Sequence, residues 1–82
     1  MIRIRYTFQS VENGIRWNDF LTDAPTPRQA LQSFAKIGPK YMLQNLVDMR
    51  LFSVDKTQFH TVENVIEDQE EDVSSFIAEM KG

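Results

Sequence analysis

The alternation that opens the chain constrains its fold more than any other feature. Ile2, Ile4, Tyr6 and Phe8 take every second position, and Arg3, Arg5, Thr7 and Gln9 fill the gaps. Strand side chains point alternately to the two faces, so this pattern describes a strand with one dry and one wet side. Asn13-Gly14 follows, a dipeptide that favours a two-residue hairpin turn because both residues tolerate positive φ. The return strand runs from Ile15 to about Thr22. A turn at Asn13-Gly14 pairs Glu12 with Ile15, Ser10 with Trp17, Phe8 with Asp19 and Tyr6 with Leu21. One face then carries Ile4, Tyr6, Phe8, Ile15, Trp17 and Leu21, the expected core side, with Trp17 near its centre. The other carries Arg3, Arg5, Thr7, Gln9, Arg16, Asn18 and Phe20. A slip of one residue would exchange the faces.

A helix is specified at both ends after the hairpin. Thr26 is an N-cap residue, Pro27 suits the first helical position and Gln29 completes a capping box. Ala30, Leu31, Phe34 and Ile37 form an apolar stripe at helical spacing. Gly38 is expected as a left-handed C-cap, and Pro39 forbids continuation. The helix therefore spans Pro27 to Ile37.

Beyond it, Lys40 to Leu46 can open with a helical turn, and Val47 to Val54 reads as a strand with Val47, Met49 and Leu51 on one face. Asp55-Lys56-Thr57 is a turn candidate, and Gln58 to Ile66 a further strand. Val73, Phe76, Ile77 and Met80 then recur at the spacing of a second amphipathic helix. Met42, Met49 and Met80 sit at apolar positions and read as core filler. The expected fold is α+β, a two-layer sandwich of order β-β-α-β-β-α. Its antiparallel-rich, four-stranded sheet carries two helices on one face. Residues 1–82 form one compact domain.

Charge is segregated along this chain. Residues 1–62 hold eight Lys/Arg and five Asp/Glu, a balance of +3. Residues 63–82 hold seven acids and Lys81 alone, a balance of −6. Most of that excess is the run Glu67-Asp68-Gln69-Glu70-Glu71-Asp72 just before the last helix. Carboxylates at a helix start meet the positive end of its dipole, but the effect fades within the first turn. Five are more than one helix start needs.

Several function classes are disfavoured. The chain has no cysteine, so disulfides and thiolate metal sites are excluded, and a cytoplasmic location is expected. The N-terminus alternates charge and apolarity, unlike a signal peptide, and no apolar stretch approaches a membrane span. No phosphate-binding, zinc-protease or nucleophile-elbow motif occurs, and the single histidine, His60, has no ligand partner at metal spacing. A non-enzymatic protein without a cofactor is expected.

Two surfaces remain as candidates. Glu63, Glu67, Asp68, Glu70, Glu71 and Asp72 form an acidic patch suited to a basic protein surface, including that of a nucleic-acid-handling protein. A protein using it would work as an inhibitor or modulator that masks its partner. The alternative is Arg3, Arg5, Arg16 and Phe20 on the hairpin's outer face, a combination of cations and a ring suited to single-stranded nucleic acid. A further reading has the block neutralise the hairpin arginines within the molecule, and another has an exposed strand edge pair with a second copy. In size, acidity and lack of cofactor motifs the layout resembles that of many small virus-encoded accessory proteins, a likeness that no motif carries.

Overall fold

A computed structural model describes all 82 residues, Met1–Gly82. The elements are β1 (Ile2–Ser10), β2 (Gly14–Thr22), α1 (Pro27–Ile37), α2 (Lys40–Gln44), β3 (Leu46–Lys56), β4 (Thr61–Val65) and α3 (Glu70–Lys81). The strands form one antiparallel sheet in the order β2-β1-β3-β4. The α+β sandwich is as expected, with the turn foreseen after Pro39 becoming the short helix α2.

The core lies between the helices and the inner face of the sheet. Ile2, Ile4, Tyr6 and Phe8 of β1 are all buried, as their alternation requires. Leu46, Met49 and Leu51 of β3 join them, and Leu31, Phe34, Leu43, Val73 and Phe76 close the layer from the helices. Phe34 is the centre. Its ring lies 4.7 Å from Tyr6, 5.2 Å from Phe20 and 5.8 Å from Phe76, centroid to centroid. Such pairs add about 0.5–1.5 kcal/mol each beyond the area they bury. Met49 is buried, and Met42 and Met80 pack against the same cluster.

The hairpin register differs from the sequence expectation. Tyr6 faces Asn18, Phe8 faces Arg16 and Ser10 faces Gly14. Residues 11–13 make the turn, and Gly14 at its end takes a left-handed φ, +73°. Each β1 residue thus pairs three positions earlier on β2 than a turn centred on Asn13-Gly14 would give. Three is odd, so β2 is inverted: Phe20 turns inward, while Ile15, Trp17 and Leu21 turn outward. The helical layer reaches β2 only near Phe20, which packs against Phe34; Arg16 and Asn18, also on the inner side, stay exposed. Only one large apolar side chain is therefore needed on the inner side of β2. Trp17 is 64% exposed, not a core residue.

Three smaller expectations are also corrected. Thr26 caps α1 as foreseen, accepting from the Gln29 N–H at 3.2 Å, but Gly38 is extended (φ −62°, ψ 146°), not left-handed. Pro39 excludes the helical region for the residue before it and pushes Gly38 to an extended conformation. A glycine is still required: a Cβ there would lie 2.7 Å from the Phe34 carbonyl oxygen and 3.0 Å from its ring. On β3, Thr7 faces Asp48 while Phe8 faces Leu46, so Val47 is the extra residue of a bulge. It is half exposed and does not share the inner face with Met49 and Leu51. β3 also continues through Asp55 and Lys56, so the chain reverses over residues 57–60.

Candidate binding site

All three helices cover one side of the sheet, leaving the other without a covering layer. Along its middle runs a rail of charge. Arg5 donates to Asp19 through Nε at 3.0 Å and through an Nη at 3.2 Å, a two-pronged pair. Arg3 pairs with Glu63 on β4 and lies 3.8 Å from Asp19. Arg5 lies 3.8 Å from Glu63. Four side chains from three strands thus form one network. The hydrogen bond to Asp19 is the main reason that the Arg5 guanidinium is held above its ordinary pKa. The Arg5 guanidinium carbon also sits 5.4 Å from the Trp17 ring centroid and 5.1 Å from that of Phe52, within cation–π range of both.

Of the four residues expected to form a nucleic-acid face, the structure keeps two together. Arg3 and Arg5 share the outer face, but Arg16 lies across from Phe8 on the inner side and Phe20 packs into the core. The ring beside Arg5 is instead Trp17, expected from the alternation on the core side. The charges of Arg3 and Arg5 are matched by Asp19 and Glu63.

The acidic patch is divided in the same way. Glu63 belongs to the rail. Glu70, Glu71 and Asp72 form the first turn of α3, where the dipole favours them, and Lys81 stands in its last turn. Glu67 and Asp68 precede the helix in the connection from β4, with Asp68 at a positive φ of 57°. All five are exposed, and none makes an ion pair within the molecule. The block therefore does not neutralise the hairpin arginines. Glu67, Asp68, Glu70 and Glu71, together with Asp48 and Arg50, border an open groove between β3 and the start of α3.

Gln69, the one uncharged residue of the run, has a different role. Its side-chain amide accepts from the Leu51 N–H and donates to the carbonyls of Leu51 and Ile66. β4 pairs with β3 only as far as Phe52, and the Ile66 N–H adds one further bond, to the Leu51 carbonyl, at 3.1 Å. Gln69 then stands in for the next strand residue and ties the start of α3 to the sheet. An amide can both accept and donate here, as the ionised carboxylates around it cannot, and a neutral residue inside an acidic run was the available signal.

No three His, Asp or Glu side chains converge as metal ligands, and His60 is exposed in the β3–β4 turn. No helix is long and apolar enough to cross a membrane. No protein-family model, curated protein or solved structure matches the chain.

Proposed function

We propose that this protein is a non-catalytic binding module that docks on a basic surface of a larger protein. Its contact is the acidic block Glu67, Asp68, Glu70, Glu71 and Asp72 at the head of α3, and docking masks the surface it covers. One observation supports this most. The five carboxylates are exposed and without an intramolecular partner, whereas the rail matches Arg3 and Arg5 to Asp19 and Glu63. The field of the block is therefore directed outward, where it steers encounter with positive charge and disfavours polyanions. Gln69 holds this edge in place by tying the residue between Asp68 and Glu70 to the sheet.

The test is affinity purification from the native host, repeated with Glu70, Glu71 and Asp72 all changed to lysine. The partner captured by the unaltered chain should be lost from the variant and should dissociate as salt is raised. Undiminished capture by the variant would place the contact elsewhere. Retention of single-stranded nucleic acid at low salt by either protein would argue for the opposite sign of partner.

A further inference from the structure

The two edges of the sheet are finished differently. At the β4 edge the strand has only five residues, carries Glu63, and gives way to the Gln69 side chain. Short edge strands and charge are the usual protections against unwanted strand pairing. The β2 edge is long, and its two charges are Arg16 on the inner side and Asp19, which Arg5 already holds. It runs nine residues, Gly14–Thr22, without proline or lysine.

Hydrogen-bond alternation shows which of its backbone groups are free. The Met1 carbonyl accepts from Val54 and the Gln9 N–H donates to Asn45, so odd-numbered β1 residues face the β3 side. Even-numbered β1 residues therefore face β2, and they pair with Gly14, Arg16, Asn18, Phe20 and Thr22. The N–H and C=O groups of Ile15, Trp17, Asp19 and Leu21 point away from the sheet. Of these, only the Asp19 N–H has a partner, the side-chain oxygen of Asn18 at 2.9 Å.

We propose that the β2 edge pairs with the β2 edge of a second copy of this chain, antiparallel, joining two four-stranded sheets into one of eight strands. Free groups must meet free groups, so a two-fold axis passes through a residue position of β2. With the axis at Asn18, Ile15 meets the second copy's Leu21 and Trp17 meets its Asp19. On the inner side Arg16 meets its Phe20, a cation against a ring. Ile15, Trp17 and Leu21 are 57%, 64% and 42% exposed in the single chain, and this register joins the two apolar stripes across the axis. An axis at Trp17 would set Ile15 against a carboxylate and leave Leu21 unmatched. The strand is thus self-complementary in one register, as a two-fold interface requires. Four residues on each copy offer about eight new backbone hydrogen bonds. This surface lies at the opposite edge of the sheet from the acidic block, so the inference stands apart from the proposed function.

Analytical sedimentation of the full chain should show the mass rising from 9.6 kDa toward twice that value with concentration. The protein has no cysteine, so single-cysteine variants report the register. Asn18→Cys places two thiols on the axis, about 4.5 Å apart between Cα atoms, and should oxidise to a linked dimer. Arg16→Cys separates them by four residue steps, about 13 Å, beyond disulfide reach. The double variant Ile15→Lys/Leu21→Lys opposes like charges in this register and should remain a monomer while keeping its circular dichroism spectrum. A strict monomer at about 1 mM would overturn the proposal, as would a dimer that persists in the double-lysine variant. Equal cross-linking at Asn18→Cys and Arg16→Cys would overturn it too.

Discussion

The inner and outer faces of the sheet are built from alternate residues of the same strands, yet they are held by different forces. Inside, Ile4, Phe34, Leu46 and Leu51 are at most 1% exposed, and no polar or charged residue is buried. Outside, Arg3, Arg5, Asp19 and Glu63 form an ion-paired rail with Trp17 and Phe52 against it. The inner face is stabilised by loss of contact with water, which scales with apolar area and takes little account of direction. The outer face is stabilised by charge pairing in partly solvated surroundings, where solvent weakens each pair. Position on the sheet thus decides how much one residue contributes, even where neighbours on a single strand are compared.

The sharpest break between the faces should come from Phe34→Ala. It removes the ring that Tyr6, Phe20 and Phe76 all touch, and urea denaturation should show a loss of about 3–5 kcal/mol. In a domain this small that is a large share of total stability. A loss below about 1 kcal/mol would mean that the inner face is no tighter than the outer one.

Gln69→Leu probes the seam where the sheet edge meets α3. A leucine can neither accept from the Leu51 N–H nor donate to the carbonyls of Leu51 and Ile66, so the change should cost about 1–3 kcal/mol and speed amide exchange at Leu51. Unchanged exchange at Leu51 would remove the side chain from its assigned role.

Asp19→Asn weakens the rail and should cost no more than about 1 kcal/mol by denaturation, with the difference shrinking at high salt. A larger, salt-independent loss would show that the outer face behaves like a core.

The smallest effect is expected at high pH. Burial holds the Tyr6 phenol above its ordinary pKa. The folded state therefore keeps a proton that the unfolded chain releases above about pH 10. Stability from this group is complete below that point and declines as pH rises through the folded pKa. Tyr6→Phe should flatten the decline seen when melting temperature is followed from pH 9 to pH 11. An equally steep decline in the variant would assign it to other groups.

The turn at the hairpin tip illustrates the limit of local reading. The strand alternation of Ile2 to Gln9 is legible because every apolar residue falls on one side. Ile15 to Thr22 offers Ile15, Trp17 and Leu21 on one side and Phe20 on the other, so its register rests on the turn. Asn13-Gly14 suits several turns. The one adopted sets the pairing off by three residues and inverts the strand. Half of the expected arginine face was lost through that single step, and Trp17 moved from the expected core to the surface. The acidic block, by contrast, was placed correctly at the head of α3, because charge and helical periodicity are both local properties.

What the sequence determined by itself is whatever neighbouring residues decide. That covers the dry face of β1, both limits of α1, the apolar stripe of α3 and the acidic residues at its head. The tertiary structure alone decided the facing of β2, the bulge at Val47, the extended Gly38 and the use of Gln69 as a substitute strand residue. Each of these depends on what lies across the sheet or beneath a helix. A chain carries such information only as the sum of many distant contacts, and no short stretch of residues holds it.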